Sequence, residues 1–157
     1  MVRKILFVCT GNTCRSPMAQ FYFTKKIKEL NIKDVSADSA GIYCFNISNT
    51  LSPNTIEVLK EIGINAENYK PKNITDEMLI NFDLILTMSN SHKELLVKYC
   101  PEHKDKIFTL VEFSCMDNEI KEIDDPFGGS IETYRKTLNI ICKCIDKLIK
   151  ELKLLPE

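Results

Sequence analysis

Cys9 and Arg15 stand six residues apart in the segment Cys9-Thr10-Gly11-Asn12-Thr13-Cys14-Arg15-Ser16-Pro17. Every residue type in it suits the handling of an oxyanion. Gly11 and Asn12 tolerate positive φ best, so the chain can curl there and turn successive amide N–H groups toward one centre, an anion nest. Ser16-Pro17 reads as an N-cap followed by the favoured first helical residue, which starts a helix where the loop ends and aims its positive dipole end at the nest. Beside Arg15 and that helix end, Cys9 is expected as the thiolate, the nucleophilic form. Arg15 can offer a planar fork of donors to two equatorial oxygens of a phosphoryl group, and Ser16 can donate its hydroxyl to the sulfur. Plainer readings exist for each: Cys9 as a small hydrophobe ending a core strand, Arg15 as a surface ion pair, Ser16 as a cap alone. The coincidence of an apolar strand before, Gly-Asn within and Ser-Pro after favours the chemical reading, nucleophilic attack on phosphorus.

Such chemistry requires one further group. A leaving atom must be protonated as its bond to phosphorus breaks, and water must then be deprotonated to hydrolyse the phosphocysteine, so a single carboxyl that changes roles suffices. Asp125, in Asp125-Pro126-Phe127-Gly128-Gly129-Ser130, suits a mobile acid, with Asp124 as its adjacent decoy.

The elements that position these residues follow from hydrophobic patterning. Ile5 to Cys9, Leu84 to Met88 and Ile107 to Val111 are short apolar runs without alternation, as expected for strands buried on both faces, and Val35 to Ala40 is a weaker fourth. Helical patterns lie between them, with Ala19, Phe23, Ile27 and Leu30 on one face, then Pro53 to Ile62, then Ser91 to Tyr99. A last stripe, Ile131, Tyr134, Leu138, Ile141, Ile145, Leu148 and Leu152, marks a long helix packed on a sheet. Alternating strands and helices predict a single α/β domain over residues 1–157, with a parallel sheet flanked by helices and ligands held beyond the carboxyl ends of its strands.

Composition narrows the function classes. Of 157 residues 44% are apolar and 27% charged, with 21 Lys and Arg against 22 Asp and Glu. A formal net charge of -1 leaves no basic surplus for nucleic acid, so anion recognition must be local. No apolar run approaches the roughly 20 residues that cross a bilayer, and no secretory signal is evident, so no membrane association is expected. Seven cysteines at irregular spacings fit no disulfide framework and suit a reducing cytoplasm. With no Cys-x-x-C pair, and with His92 and His103 far from any cysteine cluster, no metal or other cofactor is expected. Both histidines read as solvated helix or loop residues.

The segment from Val8 to Ala19 resembles the active-site loop of the low-molecular-weight protein tyrosine phosphatases. Asp38-Ser39-Ala40-Gly41, Ser52-Pro53 and Asp125 to Ser130 extend the resemblance over essentially the whole chain. It implies a four-stranded parallel sheet with helices on both faces. It further implies Cys9 as nucleophile, Arg15 as ligand of the phosphoryl oxygens, Asp125 as general acid, Asn12 and Ser39 as loop braces, and Ser16 as stabiliser of the thiolate. Thr10, Gly11, Thr13 and Cys14 complete the phosphate-binding loop. The implied protein is a cytoplasmic monomer acting on phosphorylated proteins, with inorganic phosphate as product.

Two departures from the tyrosine-specific pattern point to one branch. Thr13 stands where a bulky aliphatic residue is usual, and Phe127-Gly128-Gly129 follows Asp-Pro where aromatic residues are usual. The combination is similar to bacterial protein arginine phosphatases, which makes phosphoarginine the expected substrate, phosphotyrosine the alternative, and Thr13 and Phe127 the specificity residues. A third departure is Tyr69, where many relatives carry a histidine that braces the loop. An arsenate reductase would need further cysteines after the third strand, and Asp83 to Tyr99 holds none. A phosphocysteine phosphocarrier has no use for an acid, and a phosphopeptide-binding module would not keep both Cys9 and Asp125. Finally, Cys9 with Cys14 nearby has the makings of a reversible redox switch.

Overall fold

In the computed structural model, which describes residues 1–43, 50–114, 120–152 and 154, strand β1 (Lys4–Cys9) divides its side chains between two apolar layers. Ile5, Phe7 and Cys9 enter one, with Met18, Phe23 and Ile145, while Leu6 and Val8 enter the other, with Leu79, Leu96 and Ile107. A strand with an apolar layer on each face has no place for a polar residue, which is why its sequence does not alternate. The same division holds in β3 (Leu84–Thr87), whose Leu84 and Leu86 join the first layer and Ile85 the second.

With β2 (Ser36–Gly41) and β4 (Ile107–Thr109) these strands make a parallel four-stranded sheet in the order β2-β1-β3-β4. Helices α1 (Arg15–Glu29), α2 (Pro53–Glu61) and α6 (Ile131–Glu151) cover one face. The other is covered by α3 (Asp76–Asn81) and α4 (Asn90–Tyr99). The apolar stripe of α6 is its buried face, from Tyr134 to Ile149. Among the described residues no helix is long and apolar enough to cross a membrane.

Two stretches differ from the sequence reading. The run from Ile107 to Val111 is a strand only as far as Thr109. There Thr109 Oγ1 accepts from the Glu112 amide at 3.0 Å while Glu112 Oε2 accepts from the Thr109 amide at 3.1 Å, a capping box that turns Leu110–Phe113 into helix α5. Helix α3, six residues long, is too short to show a helical period; the Thr75 hydroxyl caps it and Asp76 and Glu77 suit its positive end.

The strand order fixes where a ligand can sit. From β1 the chain crosses outward to β2, and from β3 it crosses outward the other way to β4, so β1 and β3 are neighbours whose following segments diverge. In sheets of this kind ligands sit beyond the carboxyl ends of two such strands, at the switch point. The loop carrying Cys9 and Arg15 leaves β1 there, and Ser89 to His92 leaves β3 beside it.

Candidate active site

Cys9 is the last residue of β1 and Arg15 the first of α1, so the whole cysteine loop is the turn between them. Its left-handed residue is Asn12, with φ 57°, and not Gly11. The loop lies directly on Gly41 at the end of β2: a Cβ there would come within 2.8 Å of the Thr10 carbonyl oxygen and 2.9 Å of the Asn12 nitrogen. Only glycine lets the two backbones approach this closely.

Ser16 is not the helix cap. The N-cap of α1 is Cys14, which supplies no side-chain hydrogen bond, so the positive helix end faces the loop. The Ser16 hydroxyl is engaged elsewhere, 2.9 Å from Cys9 Sγ and 2.8 Å from Asn12 Nδ2. Its hydrogen can be placed by elimination. Asn12 Oδ1 accepts the Lys72 backbone N–H at 3.0 Å, which orients the amide so that Nδ2 donates to Ser16 Oγ. Ser16 therefore accepts from Asn12 and directs its own hydrogen at the Cys9 sulfur, the arrangement that stabilises a thiolate.

Asn12 is itself held from three sides. Its Nδ2 also donates to Ser39 Oγ at 3.0 Å, and its Oδ1 accepts from the Tyr69 hydroxyl at 2.7 Å. Tyr69 Oη lies 2.7 Å from Ser39 Oγ, which reaches Gln20 Oε1 as well. The tyrosine thus bonds both Asn12 in the loop and Ser39 on the adjoining strand β2. Burial drives its pKa up to about 12, so it stays a neutral donor across the physiological range.

Arg15 is buried, its Nη1 donating to the Ile123 carbonyl at 2.9 Å and its Nη2 lying 3.6 Å from Asp125 Oδ2. Asp125 Oδ1 accepts the Phe127 amide at 3.1 Å, and its carboxyl is half exposed. Of the two adjacent aspartates, Asp125 is the one turned to Arg15. Phe127 is 74% exposed beside it. Thr13 is half-buried, its Oγ1 next to Gly11 and 3.6 Å from Cys14 Sγ. Cys14 is buried against Ser52 Oγ at 3.4 Å and donates to the Tyr134 hydroxyl at 3.6 Å. The five described cysteines, Cys9, Cys14, Cys100, Cys142 and Cys144, are all free; Cys44 and Cys115 lie outside the described residues.

His92 overturns its sequence reading. It is only 8% exposed, and its Nε2 lies 2.8 Å from Thr10 Oγ1. Burial first, and then the Arg15 charge, lower its pKa to about 4. The available signal was positional: Ser89 caps α4 immediately after β3, and the first turn of such a helix faces the ligand crevice.

The family model described as low molecular weight phosphotyrosine protein phosphatase matches residues 4–155. A protein-arginine-phosphatase of Bacillus subtilis (strain 168) is 38% identical over 95% of this chain and 96% of its own length. Among solved structures, a low-molecular-weight protein tyrosine phosphatase from T. tengcongensis is 44% identical with a TM-score of 0.86, covering 94% of this chain and 98% of that one. An arginine-phosphatase Cys→Ser mutant with a phosphorylated active-site serine is 33% identical with a TM-score of 0.87, covering 96% of this chain and 95% of that one.

Proposed function

Because the chain belongs to the low-molecular-weight phosphotyrosine protein phosphatase family, we propose that it hydrolyses phosphoarginine in proteins through a phosphocysteine on Cys9. The Cys9 thiolate attacks phosphorus in line with the departing guanidine nitrogen. Asp125, as the acid, delivers its proton to that nitrogen as the P–N bond breaks. Asp125, now a carboxylate, takes a proton from water, the resulting hydroxide attacks phosphorus, the S–P bond breaks, and phosphate leaves with Cys9 restored as thiolate. Charge that develops on the equatorial oxygens meets Arg15 and the amide-lined start of α1. The relative that carries its phosphoryl group on the active-site serine supports a covalent intermediate at the matching position of this loop.

The observation that carries the choice of phosphoarginine is the polar rim of the loop. Thr13 presents a half-buried hydroxyl beside Gly11, and the Asp125 carboxyl sits half exposed where a guanidinium can pair with it as well as be protonated by it. Similarity to the Bacillus subtilis arginine phosphatase supports the same reading. Phosphotyrosine is the second reading, favoured by two exposed aromatic residues: Tyr43, whose amide bonds the Thr10 carbonyl, and Phe127 beside Asp125. Together they could wall a phenyl ring. Matched phosphoarginine and phosphotyrosine peptides, compared by kcat/KM, test the choice. A ratio above one in favour of phosphoarginine is expected, and the reverse ratio replaces it with phosphotyrosine.

A further inference from the structure

A hydrogen-bond chain runs from Arg15 through Thr10 to His92. Arg15 Nη2 lies 3.4 Å from Thr10 Oγ1, and a guanidinium can only donate. Thr10 Oγ1 therefore accepts there, and its single hydrogen is free for His92 Nε2 at 2.8 Å. With Nε2 as the bare nitrogen that accepts it, the ring proton sits on Nδ1, 2.9 Å from Ser89 Oγ. Ser89 Oγ accepts that proton and the His92 amide, and turns its own hydrogen to Ser91 Oγ at 3.0 Å. Each donor in the chain is used once.

We propose that His92 is a positioning residue for phosphoryl binding: in its Nδ1–H tautomer it holds the Thr10 hydroxyl toward Arg15 Nη2, and so sets the guanidinium for the oxyanion. This rests on the phosphatase reading and adds a third element to the site, since the link ties the segment after β3 to the loop after β1. Without it the Thr10 hydroxyl, on an exposed residue, is free to turn away, and Arg15 Nη2 is left to Asp125. A doubly protonated ring would donate to the second lone pair of Thr10 Oγ1 and leave the Thr10 hydrogen without His92 as its acceptor. The charges that face the ring are Arg15 from α1, which opposes its protonation, and Asp125 and Glu122 from the segment before α6, which favour it. Burial and Arg15 prevail, so the neutral ring is the resident form at neutral pH.

The test combines a spectrum with a binding constant. Nitrogen-15 NMR of the wild-type protein at pH 7 should show the His92 Nδ1 protonated and Nε2 bare; an Nε2–H tautomer or an imidazolium overturns the proposal without any variant. His92→Leu should weaken inhibition by vanadate and by inorganic phosphate about tenfold, as expected for one lost hydrogen bond to the loop. His92→Gln, whose side-chain oxygen can reach the place of Nε2, should recover most of that loss. Thr10→Val should cost the same factor as His92→Leu, and the double variant no more than either. Wild-type-like anion binding by a folded His92→Leu overturns the positioning role while leaving the phosphatase reading intact. Should wild type neither hydrolyse an aryl phosphate nor bind vanadate, the phosphatase reading itself fails, and the proposal with it.

Discussion

Replacing Tyr69 by Phe removes one oxygen atom from the centre of the loop brace, and the structure sets the size of the effect. The hydroxyl donates to Asn12 Oδ1 and meets Ser39 Oγ, each at 2.7 Å, and both partners are fully buried. Neither partner is orphaned by the change. Asn12 Oδ1 keeps the Lys72 amide, and Ser39 Oγ keeps Asn12 Nδ2 and Gln20. Because the Tyr69 hydrogen goes to Asn12 and the Ser39 hydrogen to Gln20, the cost is the net worth of one hydrogen bond, about 1 kcal/mol, and not the larger penalty of a stranded polar group. For a chain of this size that corresponds to a fall in Tm of about 2–4 °C, read by calorimetry. The gap should depend on pH in one direction. The pKa of Tyr69 rises in the folded state from 10.0 to about 12, so the folded protein keeps a proton that the unfolded chain releases. Its stabilisation is fully present below pH 10 and is lost as the pH climbs toward 12, where the wild-type and Tyr69→Phe curves should converge. Activity should fall by less than about tenfold, because Asn12 still orients Ser16, whose hydroxyl meets the sulfur. A Tyr69→Phe protein melting within about 1 °C of wild type at pH 7 would refute the bracing role.

Four further outcomes are expected. Cys9→Ser should abolish turnover of an aryl phosphate while still binding vanadate, since Arg15 and the helix end remain; substantial residual turnover would remove Cys9 from its role. Asp125→Ala should slow substrates with poor leaving groups by about 10² to 10⁴ and activated aryl phosphates far less, whereas Asp124→Ala should do neither, and the opposite pattern would move the acid by one residue. Thr13→Ile should raise the phosphotyrosine to phosphoarginine ratio of kcat/KM by at least about tenfold, because an aliphatic group packs on a phenyl ring and desolvates a guanidinium without compensation; an unchanged ratio would deny Thr13 a selecting role. Peroxide should convert the Cys9 thiolate to a sulfenic acid that condenses with the Cys14 thiol, releasing water, and mass spectrometry should find a thiol-reversible Cys9–Cys14 disulfide absent from Cys14→Ser; equal loss of activity in both proteins, unrecoverable by thiol, would rule the switch out.

How much of this could be read from the chain depended on distance along it. The sheet and its four flanking helices of any length announce themselves, because a strand buried on both faces and an amphipathic helix each carry their period in consecutive residues. The cysteine loop was legible for the same reason, since cysteine, guanidinium and helix start fall within a few residues of one another. Its details were not. A Ser-Pro pair before a helix signals a cap, yet here the Ser16 hydroxyl is drawn to Asn12 and Cys9, and the tertiary bonds outweigh the local preference. Gly11 and Asn12 compete for the left-handed position, and Asn12 takes it because its side chain, placed there, reaches Ser39, Tyr69 and Lys72. Those partners lie 27, 57 and 60 residues away, beyond any window of local pattern.

The topology explains why the missing parts are the ones that matter to the loop. A turn between a strand and a helix has two ends anchored and its middle free, so the curl that gathers amides around an anion must be held from outside. Strand β2, the segment of Tyr69 and Lys72, and the start of α4 each supply one hold, and all three reach the loop only because β1 lies inside the sheet between β2 and β3. A cysteine and an arginine at the same spacing on an edge strand would lack one of those neighbours, and with it either the Gly41 contact and the Ser39 bond, both from β2, or the His92 bond that follows β3. The chemistry is local in sequence, but the stiffness that makes it available is a property of the central strand.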